Sequence, residues 1–166
     1  MKQQLTEEDI KKIEAEIEDR KLNKRPVLIE NLKEARSHGD LSENFEYYAA
    51  KREKNQNESR IRYLERMLRT ADVVEDSAAD DEVGLNDSVV LYIIEDDEEE
   101  TYKLTTSIRA DSLKNRVSIE SPMGKALLYH KEGDLVDIPV SPTYSYQVEI
   151  RRIIKSSDEN DDIKSY

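Results

Sequence analysis

The hydrophobic pattern of this chain changes period once, and that change limits the folds open to it. Up to about residue 75 the apolar residues recur at helical spacing, as Ile10, Ile13 and Ile17 and then as Leu28, Leu32 and Ala35. Beyond that point alternating β-branched segments predict strands over Ser88 to Ile94, Thr101 to Thr105, Val117 to Glu120, Leu135 to Val140 and Tyr144 to Ile154. Pro122 to Tyr129 reads as a short helix between them. Charge divides at the same place: residues 1–75 hold 16 basic and 17 acidic side chains, and residues 76–166 hold 10 and 21. The expectation is an α+β chain: an N-terminal antiparallel α-helical coiled-coil hairpin over 1–75, a linker over 76–82, an antiparallel β-sheet domain over 83–155, and a disordered acidic tail over 156–166.

Within the hairpin a charged stretch, Arg20 to Arg25, interrupts the first stripe. Pro26 lacks a backbone donor and restricts the residue before it, which predicts a kink or break near Arg25 with Pro26 in the first turn of the next segment. On the second helix Ala50, Asn57, Leu64 and Ala71 share one heptad position, and Lys54, Ile61 and Leu68 the other. A segment of ~30 residues would reach about 45 Å.

Composition excludes several function classes. There is no Cys, and His38 and His130 are the only imidazoles, which disfavours zinc sites and Ser-His-Asp hydrolysis. The opening MKQQLTEEDI lacks the apolar core of a signal peptide. The longest apolar run, Val89 to Ile94, is far short of the roughly 18 to 20 residues of a membrane span, so a cytoplasmic protein without membrane contact is expected. A net charge of -12 repels nucleic-acid and membrane phosphates at long range, leaving only local basic patches or a partner protein to make such contacts. The run Asp96 to Glu100 reads as a solvated hairpin turn in preference to a cation site.

The stretch Arg36 to Tyr47 is the most informative. Asp40 and Glu43 have capping-box spacing for the second helix. Two carboxylates three apart at a helix N-terminus also share one face, where they could serve as hard oxygen ligands for Mg²⁺ if a partner completed the shell. The two readings are compatible. Gly39 can supply the positive φ of the turn. Phe45, Tyr47 and Tyr48 could stack bases, although packing of the hairpin end is the plainer reading. On the second helix Lys51, Arg52, Lys54, Arg60, Arg62, Arg66 and Arg69 oppose Glu53, Glu58 and Glu65, an excess that suits phosphates of a strand or a solvated helix face.

His38-Gly39-Asp40-Leu41-Ser42-Glu43-Asn44, followed by Glu46-Tyr47 and Ala49-Ala50-Lys51, resembles the tip motif of bacterial GreA/GreB-type transcription elongation factors. Arg25-Pro26, Ala35-Arg36, Arg60-Ile61 and Ser121-Pro122-Met123-Gly124-Lys125-Ala126-Leu127-Leu128 with Gly133-Asp134 add to the resemblance, which covers most of residues 5–154. It implies an FKBP-like C-terminal domain that docks on the secondary-channel rim of bacterial RNA polymerase, with Ser121, Pro122, Met123, Gly124 and Lys125 as polymerase-binding residues. The hairpin would pass down the channel. There Asp40 and Glu43 would help the polymerase hold a second Mg²⁺ and cleave its own backtracked transcript, with Ser42 orienting them. Lys51, Arg52, Lys54, Arg60 and Arg62 would hold the RNA 3′ segment. On this resemblance the chain is a monomer, binds no cofactor stably, shares Mg²⁺ with the polymerase active site and is no enzyme by itself.

Phe45 and Tyr48 stand where GreA-type members usually carry Ala and His, and the basic second helix leans toward the GreB type. The bulkier tip, with a C-terminal domain that diverges from the family at Leu85-Asn86-Asp87-Ser88-Val89 and in the Pro139 to Tyr144 turn, motivates a second reading, a regulator of the same fold that occupies the channel and inhibits without cleavage. An FKBP-like prolyl isomerase with a helical arm is a third reading, weakened because residues 76–166 contain no Phe or Trp.

Overall fold

Thr6 and Asp9 start the first helix by capping each other: the Asp9 amide donates to Thr6 Oγ1 (3.1 Å) and the Thr6 amide to Asp9 Oδ2 (3.0 Å). The computed structural model describes residues 2–39, 44–157 and 160–165. Helix α1 (Glu7–Asp19) runs into a π-helical turn, Arg20–Lys24, and then into α2 (Arg25–Ser37), followed by α3 (Phe45–Thr70). The chain therefore does not break at Pro26. The Arg25 amide reaches back to the Arg20 carbonyl, and the widened π-helical turn just before Pro26 accommodates a residue that has no amide to donate.

Two compact units result, Met1–Asp9 with Asp72–Tyr166, and Ile10–Ala71. The first nine residues join the C-terminal unit, and not the hairpin, because β1 (Gln4–Leu5) pairs in parallel with β2 (Asp72–Val73). Asp9 adds a buried ion pair to Arg109 (2.6 Å) within that unit.

In the helical unit, Ile13, Ile17, Leu32 and Ala35 are buried, as are Asn57, Ile61, Leu64 and Met67 of α3. The seam differs from the heptad expectation in two places. Arg60 and Met67 are buried, whereas Lys54 and Leu68 stay half-exposed. Helices α2 and α3 lie antiparallel, since Arg25 of α2 meets Glu58 near the middle of α3 while the Ala35 carbonyl meets Asn44 just before it. The 26 residues of α3 extend about 39 Å at 1.5 Å per residue.

The C-terminal unit holds a five-stranded sheet in the order β5-β4-β3-β7-β6, formed by β3 (Ser88–Ile93), β4 (Glu98–Thr105), β5 (Arg116–Ser118), β6 (Leu135–Ser141) and β7 (Tyr144–Ile154). Alternation puts Val89 and Leu91, Val136 and Ile138, and Val148 and Ile150 on one buried face. The sheet is mixed where an antiparallel one was expected, because β5 joins β4 in parallel. Glu98, Glu99 and Glu100, expected in the turn, form the start of β4. The short helix α4 (Pro122–Leu127) covers the core with Leu127, and Met123 and Ala126 pack beside it.

Gly124 allows α4 to sit this close: a Cβ there would overlap the Ser118 carbonyl oxygen and stand 2.8 Å from Ile119 Cα. Gly124→Ala should lower stability by about 1–3 kcal/mol, whereas Lys125→Ala on the exposed side should change it by less than about 0.5 kcal/mol. Urea unfolding of both variants checks this.

Candidate functional site at the hairpin tip and basic helix

The turn between α2 and α3 is built from its flanks. The His38 amide closes α2 by donating to the Ala35 carbonyl (3.3 Å), and Gly39 follows at φ +123°, a backbone region that favours glycine. Asn44 then clasps both helices. Its Oδ1 accepts the Tyr47 amide (3.0 Å) as the N-cap of α3, and its Nδ2 donates to the Ala35 carbonyl (2.6 Å). The cap of α3 is therefore Asn44, one residue beyond the expected capping box. Asp40, Ser42 and Glu43 themselves lie outside the described residues. His38 Nδ1 pairs with Glu46 Oε2 (2.8 Å) at the exposed end of the turn.

The tip aromatics do not form one packed cluster. Tyr47 is half-buried, with the Arg36 guanidinium 5.7 Å and the Lys51 ammonium 6.0 Å from its ring centre and Tyr48 edge-on at 5.4 Å. Phe45, by contrast, is 85% exposed. The packing expectation holds for Tyr47 and fails for Phe45, whose position at the first residue of α3 points it away from both helices.

Of the five basic residues expected to face RNA, Lys51, Arg52 and Arg62 are exposed and Lys54 is half-exposed. Arg60 is corrected. It is 3% exposed and forks onto Glu16 (2.8 and 3.2 Å), so its charge is spent inside the helical unit. Glu16 also takes Arg20 (2.8 Å), which reaches Asn57 Oδ1 (3.0 Å), while Asn57 Nδ2 returns a bond to the Arg20 carbonyl (3.2 Å). Arg25 holds Glu58 through two bonds (2.7 and 2.9 Å), and Lys21 pairs with Glu65. Two of the three acids that offset the basic side chains of α3 are thus committed to the facing arm. Arg62, Arg66 and Arg69 line a shallow groove with Ser59, Tyr63 and Glu65.

The second set of expected residues lies on α4. Ser121 is its N-cap, with Oγ accepting the Gly124 amide (3.1 Å) and donating to the Ser118 carbonyl (2.6 Å). Ser121, Met123 and Gly124 therefore have structural work, and Pro122 and Lys125 are the exposed members. Among the described residues no group of three or more acidic or histidine side chains is placed to hold a metal ion, and no helix is long and apolar enough to cross a membrane.

Both parts of the chain match one class of protein, the transcription elongation factors. Residues 3–73 match the family described as transcription elongation factor, N-terminal, and residues 78–155 the one described as transcription elongation factor, GreA/GreB, C-term. Relatives include transcription elongation factor GreA of Oenococcus oeni, 42% identical over 92% of this chain and 94% of the relative. GreA of Streptococcus pneumoniae is 44% identical over 92% and 96%. Among solved structures, GreA factor homolog 1 (Gfh1) of Thermus thermophilus is 25% identical, with a TM-score of 0.43 over 93% of this chain and 100% of that one. The chain belongs to the GreA/GreB family of transcription elongation factors.

The ion pairs of the helical unit set its response to acid. Burial alone would raise the Glu16 pKa, but its hydrogen bonds to Arg60 and then Arg20 outweigh this and hold it below the usual carboxylate value; Glu58 is lowered chiefly by Arg25. Both carboxylates bind protons less readily folded than unfolded. Their contribution is present above the ordinary carboxylate pKa and is lost as pH falls through the lowered one. Thermal melts followed by helix ellipticity should fall between about pH 5 and pH 3, and Glu58→Gln should flatten part of that fall.

Proposed function

We propose that this factor rescues arrested elongation complexes by stimulating RNA polymerase to cleave its own backtracked transcript. The C-terminal unit docks on the rim of the secondary channel through the exposed residues of α4, Pro122 and Lys125, and the hairpin enters the channel. Asp40 and Glu43 are delivered to the polymerase active site, where Ser42 helps orient them. Lys51, Arg52, Lys54 and Arg62 line the emerging RNA 3′ segment by charge, a role Arg60 does not share.

The observation that carries this reading is the clasp by Asn44. Because Asn44 caps α3, the competing structural use of the two acids, the capping box, is already filled by another residue. Their oxygens suit Mg²⁺, but two side chains fall short of its six-coordinate shell. The donor set fits an ion shared with the polymerase and the RNA phosphate, which when bound would activate water and neutralise developing charge. The chain then contributes ligands and position to a hydrolysis performed by the polymerase, and is no enzyme alone.

Stalled, backtracked complexes carrying 3′-labelled RNA test the reading. The natural chain should release short labelled fragments in Mg²⁺, and the Asp40→Ala, Glu43→Ala double variant should lose at least about 100-fold of that rate while still co-migrating with polymerase. Fragment release by the double variant at the natural rate would overturn the assignment. Slowed elongation by the natural chain without RNA shortening would instead identify a channel-blocking regulator.

A further inference from the structure

The tail beyond Lys155 lies outside the family match, which ends at that residue. Where a disordered tail was expected, residues 160–165 return to the C-terminal unit, and the Lys164 amide donates to the Ile108 carbonyl (2.7 Å). Asp161 takes Lys103 (2.9 Å) and Arg109 (2.9 Å), and its other oxygen lies 3.7 Å from Arg116. Asp162 takes Arg116 (2.8 Å) and Lys114 (3.1 Å). The Ser157 carbonyl accepts a further bond from Lys103 (2.7 Å).

Four cations from β4, β5 and the turns between them thus converge on one place in a half-chain that is otherwise strongly acidic. Arg109 is balanced from below by Asp9, but Lys103, Lys114 and Arg116 are balanced by the tail. We propose that the Lys103, Lys114 and Arg116 surface is a docking site for an acidic, extended segment of a partner protein, and that Asp161 and Asp162 occupy it in cis as a competitor.

The occupant's chemistry favours a peptide. The surface accepts two consecutive carboxylates and also reads main chain, through the Ser157 carbonyl and the Lys164 amide. A phosphodiester strand offers no main-chain amide beside its anion, and the acidity of the surrounding unit repels a long polyanion more than two carboxylates. Leu113, on the turn just before Lys114, is 95% exposed and left uncovered by the tail. An acidic segment that also carries a large apolar residue has contact area to gain there that the tail does not use. The Asp161 carboxyl, raised by burial but lowered more by Lys103 and Arg109, and the Asp162 carboxyl, lowered to about 2 by Arg116 and Lys114, both stay ionised at neutral pH. A tethered competitor acts at an effective concentration on the order of millimolar, so it masks weak ligands while yielding to a better one.

The proposal goes beyond transcript cleavage, and its test needs no polymerase. A fluorescent peptide with the sequence of residues 156–166 is titrated with the natural chain and with the full-length Asp161→Asn, Asp162→Asn variant, and anisotropy is read. The variant should bind the peptide at least about tenfold more tightly, and adding Arg116→Gln should abolish the gain. In the natural chain itself, excess peptide should accelerate proteolysis within the tail, a readout independent of how the variants fold. Equal peptide affinity for natural chain and variant, tail proteolysis indifferent to peptide, or a gain in affinity for a labelled RNA oligonucleotide instead of peptide would each overturn the proposal.

Discussion

Glu16, gripped by Arg60 from α3 and by Arg20 from its own arm, is the contact on which the helical unit depends. An arginine buried as deeply as Arg60 would be costly unless its fork were filled. Filling it ties the first arm to the middle of α3, and Arg25 with Glu58 and Lys21 with Glu65 add two further ties between the same segments. Apolar seams tolerate sliding by a heptad; a buried fork with one matching carboxylate does not. The pairs thereby place the end of α2 opposite the start of α3, where Asn44 bonds to both helices.

The same logic of committed charges separates structural from functional cations. Arg60 looks, in sequence, like one more basic residue on the outer face of α3, yet it is internal. Lys51, Arg52 and Arg62 remain outside, and two of the three acids that would have offset them, Glu58 and Glu65, are drawn across to the facing arm. A basic outer face on an acidic protein then follows from which partners each carboxylate has taken. Phe45, the first residue of α3, adds an exposed aromatic surface.

Most of the fold was legible because it is written in local periodicity. The alternation in Ser88–Ile93 and Tyr144–Ile154 has the period of a half-buried strand, and the β7 boundaries follow it residue for residue. What escaped was non-local. Nothing near Arg60 marks a carboxylate 44 residues away as its partner, and nothing in the three-residue β5 marks parallel pairing with β4. The capping residue was misplaced because Asp40 and Glu43 have the spacing of a capping box while Asn44, equally able to cap, stands directly before the helix. The tail reads as disordered by composition, since the contacts of Asp161 and Asp162 depend on cations gathered from separate elements.

The proposed role of Asp40 and Glu43 is to act as ligands to a shared ion and not merely as parts of a turn. The most direct measurement is the Mg²⁺ dependence of transcript cleavage by backtracked complexes with the natural chain and with the Asp40→Asn variant. If Asp40 is a ligand, the variant needs a several-fold higher Mg²⁺ concentration for half-maximal cleavage and approaches the natural rate when Mg²⁺ is raised. A variant slowed by the same factor at every Mg²⁺ concentration would contradict it.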